Sequence, residues 1–265
     1  GTYTTIAQAA SQELGIPPGS FQLEVWDTDQ VPSDGGLAGS RGTHVNTVAT
    51  HEAAQQIKVQ LIRLAAEHVG WPEGEVVFSD GQLRRPNTGE AIGWADLLSR
   101  LERSVKARVH TEAKRSHITS FVAQVAEVSV DPDSGALKVL RYTTAHDTGT
   151  VLNPIGYQGQ INGGLQHGLG QAMMEEVIVE DGKVTTLHFG DYKMPTMCDM
   201  PPLSTVVLPS DYGEGPYHVR GIGEAPCVPV PAAIANAVQD AAGVRIRHLP
   251  VTAEKIYQAL QGASQ

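Results

Sequence analysis

The sequence predicts an α+β fold, with mixed sheets and helices packed against them. Apolar residues recur every fourth position from Ala53 to Ala65, as on one face of a long amphipathic helix. In the second half of the chain, strand-like segments flank two turn sequences, "DPDSG" at 131–135 and Asp181-Gly182. Because helices and strands do not alternate in a steady βαβ rhythm, the α+β class fits best.

The helices are predicted from apolar spacing and from residues that begin or end a helix. Ile6 and Leu14 share one face of the first helix, and Gly15 ends it. In the second half, Pro231 begins a helix that Gly243 ends. The predicted helices cover residues 4–14, 46–69, 94–101, 231–242 and 252–260.

Strands are predicted where apolar and polar residues alternate over short stretches. A charged stretch, "ERSVKARVHTEAKRSH", separates most of these strands from the first helices, and we place a boundary near residue 110. This predicts a first subdomain at 1–110 and a second subdomain at 111–265. The predicted strands cover residues 21–28, 121–130, 136–144, 175–180, 183–189 and 244–249.

Composition and charge exclude several classes of protein. A hydrophobic content of 41% and a charged content of 18% are typical of a folded soluble domain. The formal net charge of −10 argues against nucleic acid as a partner, because phosphates require a basic surface. No apolar run approaches the roughly 18–20 residues that span a bilayer, so we expect no membrane partner. Cys198 and Cys227 are too few for a zinc or iron–sulfur site, which needs about four ligands.

Two short motifs resemble metal sites but lack residues that those sites need. "HEAAQ" begins at His51 like a zinc-binding HExxH helix, but it ends on Gln55 instead of a second histidine. "DPDSG" begins at Asp131 like a calcium loop, but Tyr142 stands where a bidentate glutamate is required. We interpret the first as part of the long helix and the second as a hairpin turn.

A glycine-rich loop, "SDGGLAGSRGTHVNT" at 33–47, leads directly into the long helix. Backbone amides at a helix N-terminus attract anions, and glycine permits a close approach of the backbone. Arg41 would add a charge-assisted hydrogen bond to a phosphate. On this chemistry alone, an anion site and a flexible connector with a solvated arginine are equal alternatives.

The stretch "HVRGIGEAPCVP" places a carboxylate among glycine, proline and apolar residues. Between Arg220 and Pro231, Glu224 is the only charged residue. Burial of an unpaired carboxylate costs several kcal/mol, on the order of its desolvation penalty. An acid in such surroundings indicates either a chemical role or a simple surface turn.

Seven segments, in order over nearly the whole chain, carry a family resemblance. They are "GTYTTIAQAASQELGIP", "GGLAGSRGT", "HEAAQQIK", "HDTGTVLNP", "QINGGLQHGLGQAMMEE", "DYKMPTMCDMPP" and "RGIGEAPCVPVPAAIANAVQDAAGVRIRHLPVTAEKI". Together they resemble the molybdenum hydroxylases, the family of xanthine dehydrogenase and aldehyde oxidoreductase. The similarity is to the C-terminal half of the molybdopterin-binding subunit, so the resemblance implies the second molybdenum-cofactor-binding lobe.

The resemblance implies roles for both unusual segments. Glu224 would be the catalytic base of a hydroxylation that takes its oxygen from water, and Gly223 would let the backbone approach the cofactor. The glycine-rich loop would hold the pterin and its phosphate. For His167, a place beside the cofactor and a packing role are equal alternatives. The loop residues implied in cofactor binding are Ala38, Gly39, Ser40, Arg41 and Gly42.

The same resemblance implies the cofactor and the partners. The cofactor would be molybdopterin with molybdenum, its dinucleotide form left open, while iron–sulfur clusters and FAD are expected only on other chains. A complementary molybdopterin-binding lobe or subunit and iron–sulfur and flavin subunits would be the partners. The substrate would be a small aldehyde or N-heterocycle, and the compartment the cytoplasm, with the periplasm left open. The alternative is an isolated or truncated domain that is structural only and binds no cofactor by itself.

Overall fold

The computed structural model describes residues 1–24, 27–29, 31, 34–112 and 120–263. The chain forms two compact units, of which unit 1 comprises Gly1–His117 and Gly213–Val219. Unit 2 comprises Ile118–Tyr212 and Arg220–Gln265. A single boundary near residue 110 does not describe these units fully, because the segment Gly213–Val219 also belongs to unit 1. The subdomain boundary at 110 stays a prediction.

The α+β class predicted from the sequence is confirmed. The helices are α1 (Thr2–Leu14), α2 (Gly42–Val69), α3 (Trp94–Leu101), α4 (Pro154–Met173), α5 (Val230–Ala242) and α6 (Ala253–Ala263). The strands are β1 (Val77–Ser79), β2 (Gln82–Arg85), β3 (Glu90–Gly93), β4 (Phe121–Val130), β5 (Leu137–Asp147), β6 (Val179–Glu180), β7 (Lys183–Val184) and β8 (Leu203–Val207). No helix in the described part of the chain is both long enough and apolar enough to cross a membrane.

Unit 1 packs the helix pair α1 and α2 together with a small antiparallel sheet of order β1-β2-β3. Its core joins Leu61 and Ala65 of α2 to Leu83 of β2 and Leu97 of α3. Leu61 and Ala65 are four positions apart, as the apolar spacing of the long helix predicted, and both are fully buried. The amphipathic face of α2 therefore organises this unit.

The returning segment 213–219 is fastened to unit 1 at Glu13, near the end of α1. The Tyr217 hydroxyl donates to one carboxylate oxygen of Glu13 at 2.7 Å, and the Lys58 ammonium donates to the other at 2.6 Å. His51 lies 2.7 Å from the same carboxylate. Burial alone would raise the pKa of Glu13, but the hydrogen bonds from Lys58, Tyr217 and His51 outweigh it and lower that pKa to about 2.

Unit 2 is built on the three-stranded sheet β4-β5-β8, with β4 antiparallel and β8 parallel to β5. The predicted "DPDSG" hairpin joins β4 to β5, and the Asp131 amide donates to the Ala136 carbonyl at 2.9 Å. Leu165 of α4, Ile234 of α5 and Tyr142 of β5 meet in the core. Helices α4 and α5 therefore close this core against the sheet.

Two predicted strands are wrong. Phe21 and Leu23 are half-buried between exposed neighbours, yet residues 21–24 form no strand; residues 25–26 lie outside the described residues. Residues 244–249 also form no strand, because Val244 and Ile246 pack as an irregular segment against the α5 and α6 core. Alternating burial alone does not make a strand, which also needs a neighbouring strand for its hydrogen bonds.

The other differences are strands that are shorter than predicted and elements that were not predicted. The hairpin at Asp181-Gly182 is confirmed, but β6 and β7 have only two residues each. Strands β1 to β3, strand β8 and helix α4 were not predicted. Helix α4 has a recognisable beginning, since the Asn153 side chain accepts from the Gly156 amide at 3.0 Å and Pro154 occupies the first turn.

Candidate functional site

Glu224 lies in unit 2 on the loop 221–229, which leads into α5. Two side chains from the β4 region form hydrogen bonds with the loop, one before Glu224 and one after it. The Ser120 hydroxyl donates to the Gly221 carbonyl at 2.6 Å, and the Gln124 amide donates to the Pro226 carbonyl at 2.8 Å. The backbone therefore has fixed points three residues before Glu224 and two residues after it.

The loop also makes a turn at Glu224 itself. The Cys227 amide and the Cys227 thiol both lie 3.1 Å from the Glu224 carbonyl oxygen. Gly223 and Glu224 are exposed, so the residues around them in unit 2 do not exclude water from the carboxylate. The loop presents the carboxylate outward from a defined backbone.

Glycines of α4 allow the helix to lie directly against this loop. A β-carbon at Gly164 would lie 2.6 Å from the Pro226 Cβ, and one at Gly168 would lie 3.0 Å from the Cys227 carbonyl oxygen. Real β-carbons essentially never approach other atoms to under 3.0 Å, so glycine is required at position 164. The glycines that obscured α4 in the sequence serve this close packing.

A buried ion pair anchors the chain just before the loop. The Arg220 guanidinium bonds to Asp147 at the end of β5, and the Ser210 hydroxyl donates to the same carboxylate at 3.0 Å. The Arg220 side chain is only 3% exposed. The Arg220 amide also donates to the Thr148 carbonyl at 2.8 Å. Residue 220 is therefore held through both its side chain and its backbone.

Behind the loop, Gln124 belongs to a hydrogen-bond network that ends at the fully buried His146. The Thr144 hydroxyl accepts from Gln124 at 3.1 Å and lies 2.7 Å from His146 Nε2. Burial lowers the pKa of His146, which favours the neutral ring. His146 Nδ1 has no hydrogen-bond partner among the described residues. The network is thus a neutral polar layer under the Glu224 loop.

The glycine-rich loop lies in unit 1, where its described part begins at Asp34 and ends at α2. Gly39 and Ser40 both have left-handed backbone, with φ of 60° and 58°, and Ser40 is unusual there because it carries a side chain. Among the described residues, no atom lies within 4 Å of the β-carbon positions of Gly36 or Gly39. The loop surface is therefore open, and it precedes the first-turn amides of a 28-residue helix.

The chemistry of this loop fits a phosphate-bearing group. Arg41 is the N-cap of α2 and is exposed, so its cation stands at the positive end of the helix dipole. Amides, glycine backbone and a guanidinium are the donors that a phosphate requires. Ala38 and Gly39 are exposed, while Ser40 and Gly42 are half-buried, so the implied residues form one continuous surface of unit 1.

The implied site residues fall into two groups, one in each unit. Ala38 to Gly42 lie in unit 1, whereas His167, Gly223 and Glu224 lie in unit 2. His167 is exposed on α4, next to Gly168, and neither of its two alternative roles is tested. In the described part of the chain, no group of three or more His, Cys, Asp or Glu side chains is arranged to hold a metal ion.

Sequence reasoning missed the residues that support Glu224. Ser120 and Gln124 look like ordinary polar positions at the start of a half-buried strand, and Asp147 like a residue at a strand end. Their partners, Gly221, Pro226 and Arg220, lie 73 to 102 positions further along the chain. The only signal was the quoted segment "HDTGTVLNP", which drew attention to Asp147 without indicating its partner.

Comparison with known proteins places the chain in a family. A family model described as "Molybdopterin cofactor-binding domain" matches residues 1–201. Because this match covers well over half of the 265 residues, the chain belongs to that family. The family recognised from the sequence is confirmed, and molybdopterin with molybdenum is its cofactor. Iron–sulfur clusters and FAD belong to other subunits in these families.

Relatives of known function are similar over nearly the whole chain. The xanthine dehydrogenase molybdenum-binding subunit of Escherichia coli O157:H7 is 30% identical over 97% of this chain and 36% of its own length. The aldehyde oxidoreductase molybdenum-binding subunit PaoC of Escherichia coli (strain K12) is 28% identical over 98% of this chain and 35% of its own length. The chain therefore spans about a third of the length of the relatives it matches.

Solved structures agree with this assignment. The chain superposes on quinoline 2-oxidoreductase from Pseudomonas putida 86 with a TM-score of 0.87 and 26% identity, covering 98% of this chain and 35% of that one. The match to reconstituted CO dehydrogenase from Oligotropha carboxidovorans has the same TM-score and identity, and it covers 98% of this chain and 34% of that one. The fold is thus shared with domains of molybdenum-dependent enzymes.

Proposed function

We propose that this chain is part of a molybdopterin-dependent oxidoreductase that hydroxylates an aldehyde or an N-heterocycle with water as the oxygen source. The observation that carries the proposal is Glu224, a carboxylate presented outward from a loop whose backbone is fixed on both sides. Catalytic groups act best when their geometry is set before the substrate binds. A solvated surface turn would not need this support.

In the proposed reaction Glu224 is the general base. Molybdopterin with molybdenum, when bound, supplies the oxidation chemistry. The Glu224 carboxylate accepts a proton at one oxygen, and Gly223 leaves room for a large group beside the backbone. Arg41 and the amides at the start of α2 bind the phosphate of the cofactor through charge-assisted hydrogen bonds.

We further propose that cofactor binding needs residues beyond these 265. The matched relatives are about three times as long, and the exposed Glu224 and the open glycine-rich loop both leave surface for further contacts. A complementary molybdopterin-binding lobe, on the same polypeptide or on another, would enclose the cofactor and exclude water. Iron–sulfur and flavin subunits would then carry electrons away.

Glu224→Gln in the complete, cofactor-loaded enzyme tests the catalytic assignment. The substitution keeps the side-chain volume but cannot accept the proton, so turnover per molybdenum should fall by roughly 10²–10⁴-fold. Molybdenum content and melting temperature should stay at the wild-type values. Glu127→Gln, at an exposed carboxylate of β4, is the matched control and should leave turnover and molybdenum content unchanged, with at most a small change in melting temperature.

Three outcomes would count against the proposal. Near-normal turnover per molybdenum in Glu224→Gln would show that Glu224 is not the base. Loss of molybdenum in that variant would make Glu224 a binding residue instead. Absence of molybdenum from the complete wild-type protein, purified from its native host, would favour the structural-only alternative.

A further inference from the structure

We propose that Ser120 and Gln124 are positioning residues for Glu224. Their side chains bond the loop 221–229 at two points, and we call this pair of hydrogen bonds the clamp. The proposal rests on the proposed role of Glu224. Ser120 bonds the Gly221 carbonyl at 2.6 Å, and Gln124 bonds the Pro226 carbonyl at 2.8 Å. Both bonds run from a side chain to a backbone carbonyl of the loop, so they fix the backbone that carries the carboxylate.

The spacing of the two side chains suits this role. Successive side chains of a strand point to opposite faces, so residues four apart lie on the same face. Four residues of extended chain span roughly 13 Å. Ser120 directly precedes β4, Gln124 lies within it, and both are half-buried, so they offer two separated anchor points that the loop between Gly221 and Pro226 has to bridge.

Gln124 is held in a single orientation by its own partners. Its Oε1 accepts from the Tyr142 hydroxyl at 2.7 Å, and its Nε2 donates to Thr144 at 3.1 Å and to Pro226 at 2.8 Å. Tyr142 is fully buried, and burial raises the pKa of its hydroxyl, which therefore stays a donor. The Gln124 amide cannot rotate without losing all three bonds.

The loop would move without this clamp, because its own sequence provides little rigidity. Gly221 and Gly223 flank Ile222 directly before Glu224, and glycine has the largest backbone freedom of any residue. A misplacement of about 1 Å in a catalytic group can reduce the rate on the order of 10²-fold. Loss of either anchor should therefore lower kcat, while KM changes little because no substrate contact is removed.

Cys227 provides a measure of loop order that needs neither cofactor nor turnover. Its thiol and its amide contact the Glu224 carbonyl oxygen, so opening of the loop exposes the thiol. Cys198 is an exposed thiol elsewhere in unit 2 and serves as the internal standard. Both can be followed by alkylation with iodoacetamide and peptide mass spectrometry in the complete protein.

The test compares Gln124→Met and Ser120→Ala with wild type. Loss of one such hydrogen bond should raise the alkylation rate of Cys227 relative to Cys198 by roughly three- to tenfold. In the loaded enzyme kcat should fall at least tenfold, on the order expected for a displaced catalytic group. Ser120→Thr keeps the hydroxyl and should restore both values.

Gln158→Met is the matched control. Gln158 is a half-buried glutamine of α4 that bonds Asn162 and Thr205, and its hydrogen bonds in the described part of the chain do not reach the loop. The Gln158→Met substitution should leave kcat unchanged, and also the ratio of the alkylation rate of Cys227 to that of Cys198. If Gln124→Met does not fold, Ser120→Ala alone decides the proposal.

Three results would overturn the clamp. Equal increases at Cys227 and Cys198 would indicate global destabilisation, and an unchanged ratio in both variants would show that the loop needs no anchor. A raised ratio with normal kcat would show that loop order does not matter for turnover. Failure of the role of Glu224 is recognised separately, because Glu224→Gln would then keep its turnover while the alkylation result stays the same.

Discussion

Gly168 of α4 lies so close to Val230, the first residue of α5, that a β-carbon on Gly168 would be 2.5 Å from the Val230 Cβ. Val230 is fully buried and cannot move aside without opening the core of unit 2. Helix α4 can therefore lie this close to the end of the Glu224 loop only because residue 168 has no methyl group.

Gly168→Ala should therefore destabilise the protein, by roughly 1–3 kcal/mol as overpacking of a core does. Gly163→Ala is the matched control on the same helix, since no atom of the residues that the structure describes lies within 4 Å of its β-carbon position. There alanine should stabilise by roughly 0.5–1 kcal/mol through its better helix propensity. Urea unfolding of both variants measures the difference, and equal effects would contradict the close-packing role of Gly168.

Asp147→Asn should be costly because it removes the carboxylate charge that the buried Arg220 guanidinium bonds. Removing one partner of a buried pair costs about 3 kcal/mol or more. Glu127→Gln removes one partner of an exposed pair with Arg141, whose side chains are 53% and 65% exposed, and should cost less than about 1 kcal/mol. Thermal unfolding compares the two, and a small effect at Asp147 would show that Ser210 and the Thr148 carbonyl suffice to hold residue 220.

Glu13 should make stability fall in acid. Its pKa is about 2 in the folded protein against an ordinary 4.5, so the carboxylate contributes stability that is fully present above pH 4.5. That contribution is lost as the pH falls from about 4.5 to about 2, when the folded-state carboxyl takes up its proton. The difference in unfolding free energy between wild type and Glu13→Gln should shrink over this range.

Tyr217→Phe should reduce, but not abolish, the loss of stability in acid that comes from Glu13. It removes the hydroxyl that donates to Glu13 at 2.7 Å but leaves Lys58 and His51 in place. The folded-state pKa of Glu13 should then lie higher than in wild type, so the loss of stability should still begin near pH 4.5 but should end at a higher pH and be smaller. A stability difference between wild type and Glu13→Gln that is equal at pH 7 and pH 3 would refute the assignment.

Elements with a strong local pattern could be predicted from the sequence, and those that depend on distant partners could not. Helix α2 was found because its apolar face repeats over many turns, and the hairpin at 131–135 because its turn residues are local. Helix α4 was missed because its glycines lower helix propensity. The reason for those glycines, contact with Pro226 and Val230, lies about sixty residues further along the chain.

The same distinction holds within the site. The family resemblance indicated Glu224 and the glycine-rich loop, because both are short contiguous motifs. Nothing local to Gln124 shows that its amide bonds the Pro226 carbonyl 102 positions away. Supporting residues of this kind are defined by the fold, so the sequence could nominate the group that acts but not the groups that hold it.

Arg41→Ala should affect cofactor retention without affecting the chemistry. Arg41 stands exposed at the positive end of α2, in the unit that does not contain Glu224. A charge-assisted bond to a phosphate contributes about 1.5–3 kcal/mol, so its loss should weaken cofactor binding roughly 10- to 100-fold. Molybdenum content of the complete enzyme should therefore fall, while turnover per remaining molybdenum stays close to wild type.

The matched control for Arg41→Ala is Arg63→Ala, which removes another exposed arginine from α2, one that pairs with Glu73 at 3.6 Å. It lies far from the start of the helix, where the dipole and the first-turn amides act. Arg63→Ala should keep its molybdenum, whereas Arg41→Ala should lose molybdenum faster on dilution. Equal retention in the two variants would show that the loop at 38–42 does not bind the phosphate. A fall in turnover per molybdenum in Arg41→Ala would instead connect this arginine to the reaction itself.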